Sequence, residues 1–204
     1  MKRIWVGALL WILFLAFAPI TRAQLHQRYE GWCSTLEASS SPDLVQYLNG
    51  VVADDNNAQC ITWAIHKLGQ ERYEQSVTPL VRLLDFRRPQ SEGEKIFHGL
   101  SDEQFPAKVA LEMIGKKALP EVLRAIQGET SSDTLRQNAL AVWMEIYRED
   151  SEHSKGVAEL KEEETKATDD AIKRRLKWAI QKAVKLCGPG ELIKCRQAAE
   201  TGTP

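Results

Sequence analysis

The stretch Phe105-Pro106-Ala107-Lys108-Val109-Ala110-Leu111-Glu112-Met113-Ile114-Gly115-Lys116-Lys117-Ala118-Leu119-Pro120-Glu121-Val122-Leu123-Arg124-Ala125-Ile126 decides the fold. Val109, Ala110 and Met113, then Leu119, Val122, Leu123 and Ile126, recur at intervals of three and four, so each half carries one apolar stripe of a helix. Pro106 and Pro120 fall in first turns, where a missing N–H costs nothing, and Gly115 can take the turn between. Two short helices folded back on each other, with small residues between them, read as one unit of a helical repeat.

The same period extends in both directions, and no sustained alternation of the kind a strand needs occurs from Ser41 onward. Ser41-Pro42-Asp43 opens a helix with a capping hydroxyl, a first-turn proline and an acid at the positive helix end, and Leu44, Val45, Leu48 and Val51 form its apolar face. Asn49-Gly50 or the Asp54-Asp55-Asn56 run ends it. Asn57 to Leu68 forms the next helix, carrying Cys60, Ile61, Ala64, Ile65 and Leu68 and stopped by Gly69; its partner, Ser76 to Leu84, completes a first hairpin. After the second hairpin, closed by Gly128, a third helix spans Asp133 to Tyr147 with Leu135, Ala139, Leu140, Val142, Trp143 and Ile146 apolar. Its expected partner, Ser154 to Thr168, offers only Val157, Ala158 and Leu160 before Lys161-Glu162-Glu163-Glu164, the pattern of an exposed helix or partial linker. Asp169 to Leu186 presents Ile172, Leu176, Ala179, Ile180, Ala183 and Val184, Gly188 closes it, and Glu191 to Ala199 forms a short packing helix.

Aligning Ala64, Ala110, Ala139 and Ala179 gives spacings of 46, 29 and 40, irregular but within the range of helical hairpin repeats. The first interval is lengthened by the polar, breaker-rich run Arg87-Arg88-Pro89-Gln90-Ser91-Glu92-Gly93-Glu94, so the chain up to Gln104 reads as a long inserted loop.

With Pro106-Ala107 opening a helix, Ala110-Leu111 at its middle, Ile114-Gly115 closing it and Ala118-Leu119-Pro120 starting the next, this order resembles the HEAT-like repeats of the phycobilisome-lyase type. Ala64, Leu68-Gly69 and Thr78-Pro79-Leu80 repeat the skeleton. The resemblance covers about Asn57 to Leu186 and departs from the pattern in the third unit, where no glycine follows Trp143-Met144-Glu145-Ile146. It implies an all-α fold, an α-solenoid of helical hairpins forming a HEAT/armadillo-like superhelix, that binds proteins. Lyase activity belongs to only some members, and no chromophore-related motif is present to transfer.

The amino terminus carries a different signal. Lys2 and Arg3 precede an apolar run from Ile4 to Ala18, and Thr21-Arg22-Ala23 places small residues where a signal peptidase cuts, so residues 1–23 read as a secretory signal peptide cleaved after Ala23. Retention as an anchor is the competing reading, because the run from Ile4 to Ile20 reaches only the lower end of the about 17 to 25 residues that a spanning helix uses; Pro19, at the start of the cleavage region, favours cleavage. Removing Lys2, Arg3 and Arg22 takes the formal net charge from −1 to −4, which argues against nucleic acid as a partner. Lys173-Arg174-Arg175 is the one short basic cluster, and it reads as a solvated helix face.

Four cysteines, Cys33, Cys60, Cys187 and Cys195, in an exported chain suggest two disulfides. Three pairings are possible; Gly188-Pro189-Gly190 turns the chain between Cys187 and Cys195, so the expected pairs are Cys187 with Cys195 and Cys33 with Cys60. A metal site would need closer ligand pairs. His26, His66, His98 and His153 are scattered and read as surface or loop residues, and Ser34, Ser76 and the other serines lack the Gly-x-Ser-x-Gly setting of a nucleophile. Adjacent acids such as Asp54-Asp55, Asp169-Asp170 and Glu162-Glu163-Glu164 point to different sides of a helix or turn and make poor acid and base pairs. No catalytic, cofactor-binding or metal-binding residue is assigned.

The candidate partner contacts are Trp63 and Trp178, which precede aligned alanines and so occupy equivalent helix positions, together with Arg87, Arg88, Phe97 and His98 of the inserted loop. Inter-repeat core is the competing reading for the tryptophans. The expected organisation is a signal peptide (1–23), an N-terminal segment with one helix (24–56), a HEAT-like repeat domain (57–199) and a flexible tail (200–204). The expected function is that of a periplasmic or secreted, non-catalytic protein-binding or scaffolding module, needing no cofactor and, after cleavage, no membrane. A small secreted enzyme or enzyme subunit with the 87–104 loop as a lid is the alternative.

Overall fold

The computed structural model describes residues 33–53, 56–88, 104–149 and 152–203, and all regular structure among them is helical. The elements are α1 (Ser34–Glu37), α2 (Ser41–Gly50), α3 (Ala58–Gln70), α4 (Val77–Arg82), α5 (Pro106–Ile114), α6 (Leu119–Gln127), α7 (Asp133–Glu149), α8 (His153–Lys166), α9 (Asp170–Leu186) and α10 (Leu192–Thr201). Short 3-10 turns at Glu74–Ser76 and Gly115–Ala118 lead into α4 and α6.

The amino-terminal helices are held by a cap and a covalent clip. Ser40, rather than Ser41, is the capping residue of α2: its N–H and its hydroxyl both donate to Asp43 Oδ2, at 3.1 and 2.6 Å. Those bonds hold the Asp43 carboxyl below the usual carboxylate range. The sequence Ser-Ser-Pro-Asp offers two adjacent hydroxyls, and the one three residues before the acid closes the box. Cys33 and Cys60 are bonded, tying α1 to α3, and Lys67 Nζ donates to Ser39 O at 3.0 Å from the same side.

Gly69 is where expectation and structure part. It lies inside α3 rather than ending it, buried against α5. A Cβ built there would fall 2.7 Å from Ala110 Cα and 2.8 Å from Ala110 Cβ, a separation that real Cβ atoms do not tolerate. The helix ends one residue later, at Gln70, with Glu71 as its C-cap and Arg72, at φ +50°, turning the chain away. Glycine and alanine at one crossing let two helix axes approach closely, and α3 accordingly packs chiefly along α5. Gly115, by contrast, is a turn glycine as expected, with φ +75°.

The molecule is centred on α7. Ala139, Leu140, Val142, Trp143, Met144, Ile146 and Tyr147 are all buried, covering nearly every side of that helix, and α5, α6, α8 and α9 pack around it. The segment after α7 needs a second correction. Rather than an exposed helix or linker, α8 is packed: Ser154, Gly156, Val157, Ala158, Leu160 and Glu164 are buried. Gly156 receives the Tyr147 ring, with a Cβ there meeting Tyr147 Cδ2 at 2.7 Å, and Trp143 Nε1 donates to Gly156 O at 3.0 Å. The glycine that the third unit lacks at its turn is thus present one helix later, where it serves an aromatic contact. The turn itself is closed by Glu152 N–H donating to Tyr147 O at 2.8 Å.

Asp169 caps α9, accepting from Ala171 N and Ile172 N at 2.7 and 2.9 Å, which holds its carboxyl below the usual range. Cys187 is bonded to Cys195, joining the end of α9 to α10 across the Gly-Pro-Gly turn, and α10 packs along α8. The helix continues through Thr201, with Gly202 left-handed as its C-cap, so helical structure reaches into the stretch expected to be a tail. All four aligned alanines, Ala64, Ala110, Ala139 and Ala179, are completely buried.

Candidate functional site

Trp63, on α3, is 7% exposed with Lys67 Nζ 5.3 Å above its ring, and Trp143, on α7, is 3% exposed with its N–H satisfied by Gly156 O. Both are core residues, and neither offers a face to a partner. Trp178, on α9, is different. It packs against the core on one side and is half-buried, lining a recess on the other.

Of the loop residues, Arg87 is exposed with its guanidinium 5.3 Å from the Phe105 ring centroid, and Arg88 N–H donates to Gln104 O at 3.0 Å, bringing the two ends of the loop together. Phe97 and His98 lie outside the described residues, as do His26 and Trp32. His153, read as a surface or loop residue, stands partly buried at the start of α8, paired through Nδ1 with the Glu191 carboxylate of the disulfide turn. Ser76 is fully buried, its hydroxyl donating to Tyr73 O at 2.6 Å, which removes it as a nucleophile. Among the described residues no group of three or more His, Cys, Asp or Glu could hold a metal ion, and no helix is long and apolar enough to cross a membrane.

Two concave features converge on α9. The first, of about 320 Å³, lies between α7 and α9 and is lined by Asp133, Arg136, Arg174, Arg175 and Trp178, with Gln137 and Ala171 beside them. Its arginines are positioned by the turn that follows α6. Arg136 Nη2 donates to Gly128 O and Ser131 O, each at 3.0 Å, and Nη1 pairs with Asp133 Oδ1 at 3.1 Å. Arg175 Nη1 donates to Gln127 O at 2.7 Å. Both guanidiniums therefore sit at the carbonyl end of α6, where a cation is favoured and orphan carbonyls need donors.

The second feature is a larger groove of about 650 Å³ between α8, α9 and α10. Ile180, Val184, Leu192 and Ala199 contribute apolar lining, and Lys161, Lys177, Lys185 and Arg196 contribute positive charge. Glu164 is 8% exposed there, hydrogen-bonded by Lys161 Nζ at 2.7 Å with Lys177 Nζ at 3.9 Å. The Lys161 hydrogen bond outweighs the cost of burial and keeps the carboxyl below its ordinary range.

Chemically, both features suit recognition. They present cations beside apolar surface, and neither sets a nucleophile against a base. The α7–α9 recess was half legible in the sequence: Trp178 stood out, but Arg174 and Arg175 read as a solvated face. Their spacing three and four residues before Trp178 put them on one side of α9, and Arg136 could join them only through the packing of α7 on α9. Comparison with protein families, with curated proteins and with solved structures finds no match to the chain.

Proposed function

We propose that this chain is an exported, non-catalytic protein-binding or scaffolding module whose helices stack as a HEAT-like α-solenoid. The observation that carries the reading is the recess between α7 and α9, where guanidiniums held by backbone carbonyls stand beside a half-buried tryptophan. Arginine and tryptophan are the side chains most enriched where proteins bind one another. The burial of Ala64, Ala110, Ala139 and Ala179 supports a stack of like units, each alanine lying at a helix crossing or in the core. Export is supported by two disulfides that take up all four cysteines and leave none free, the usage of an oxidising compartment.

Crosslinking of the tagged protein inside cells that produce it tests the binding reading. The expected result is a discrete partner recovered in constant ratio to the bait, and recovery of the bait alone overturns it. Mass spectrometry of the exported chain should find Gln24 at its amino terminus and two disulfides, and four free thiols would remove the argument for export.

A further inference from the structure

We infer that the α7–α9 recess is a socket for an acidic segment of a partner protein, with Arg174 and Arg175 engaging adjacent carboxylates and Trp178 forming the apolar wall. The inference rests on the protein-binding reading and names the chemistry of what is bound.

Charge is the first argument. The chain is net negative, yet the recess is lined by three guanidiniums and a single carboxylate, and that carboxylate, Asp133, is already paired with Arg136. At physiological ionic strength screening acts within about 8 Å, so a segment in the recess responds chiefly to these local guanidiniums, with Asp169, the cap carboxylate that feels Arg174 and Arg175, a further acid close to them.

Preorganisation is the second. Arg136 is engaged through both terminal nitrogens in holding the turn after α6, with three hydrogen bonds to Asp133, Gly128 and Ser131, while its buried Nε has no partner among the described residues. Arg175 is anchored by one bond, through Nη1 to Gln127 O. A guanidinium carries five donors, so Arg175 keeps a fork with which to take a carboxylate bidentately while its position is already fixed. Arg174, exposed one residue before it, adds a second cation without cost to the fold. Side chains ordered before binding lose less entropy on binding.

The third argument is shape. A volume of about 320 Å³ accommodates one or two side chains, not a folded surface. Trp178 supplies a planar wall against which the methylenes of a glutamate, or the plane of an engaged carboxylate, can lie. Carboxylates on a flexible chain segment meet all three requirements.

The test uses the full mature chain with both disulfides intact and an end-blocked hexaglutamate peptide, read by calorimetry and by the part of the tryptophan emission change that Trp178→Ala removes. The glutamate peptide is expected to bind at least tenfold more tightly than its hexaglutamine counterpart, and Arg174→Glu to weaken it at least tenfold with an unchanged melting temperature. Trp178→Ala should weaken it too; because that residue also packs on the core, the exposed Arg174 keeps the test independent of folding. Equal binding of the glutamine peptide, no binding of the glutamate peptide, or no effect of Arg174→Glu overturns the inference. Competition by inorganic phosphate at matched charge concentration would mean an adventitious ion only. Arg174→Glu then separates the two levels in the cellular crosslinking experiment. A partner recovered undiminished by the variant removes the socket and leaves the binding reading standing, and no partner recovered even by the wild type removes both.

Discussion

Gly69 and Gly156 sit inside helices in the two halves of the molecule, and both allow an approach that a side chain would block, but different things approach them. At Gly69 the intruder is the backbone of another helix, Ala110 Cα, and at Gly156 it is a ring, that of Tyr147. The amino-terminal half thus achieves closeness by thinning both helices at one crossing. The carboxy-terminal half fits a large side chain into a notch and adds a hydrogen bond from Trp143 beside it. Backbone cannot step aside without moving all of α5, whereas a ring can be shortened. The first contact should therefore be intolerant of any substitution, and the second repairable by a compensating one.

The largest effect is expected at the first contact. Gly69→Leu requires α3 and α5 to separate along their length, and it should abolish the cooperative thermal transition that the wild type shows by circular dichroism; a sharp transition would mean that α5 is free to shift. The disulfides extend the comparison. Cys33–Cys60 closes a separation of 27 residues and Cys187–Cys195 one of 8, so by chain entropy alone removing the first by paired serine substitutions should cost about 3.5 kcal/mol and the second about 2.5 kcal/mol. Urea denaturation of the two double variants ranks them, and the reverse order would show that the terminal clip does more than shorten a loop.

Smaller still is Gly156→Ala. Alanine is the better helix former by about 1 kcal/mol, but the clash with Tyr147 should outweigh that gain and leave a net loss of about 1 kcal/mol. In a Tyr147→Leu background the same change should become neutral or stabilising. Additivity in that cycle would refute the notch. Smallest is the acid response of the α9 cap. The Asp169 carboxyl lies below its ordinary 3.8 in the folded chain, so its contribution is present above that pH and is lost as pH falls through the folded value. Thermal melts of Asp169→Asn, which keeps an accepting oxygen without the charge, should flatten the part of the acid limb that belongs to α9.

How far the sequence reveals such contacts depends on whether they are local. The α5–α6 unit was legible because its signals, Pro106, Gly115 and Pro120, act within a few residues of where they stand. The start of α9 at Asp169 and the turn between Cys187 and Cys195 were legible for the same reason. Gly69 was misread as a stop because a glycine near a helix end has two uses, and only the position of Ala110, 41 residues later, distinguishes them. α8 was undervalued because, beside Val157 and Leu160, its buried face uses Ser154, Gly156, Ala158 and Glu164, which carry little hydrophobic signal. The α7–α9 recess depends on three separate segments, the turn after α6, Arg136 and the α9 arginines, and no single window of sequence contains them.

The hydrogen bond from Arg88 N–H to Gln104 O brings together the two points of chain that flank residues 89–103. An engineer could treat that pair as a splice point. A fluorescent protein, an affinity tag or a shorter peptide whose ends lie close together could be exchanged for residues 89–103, and new chain termini could be opened there after joining the old ones. The closed junction would keep α4 and α5 in register, giving a place to attach a reporter.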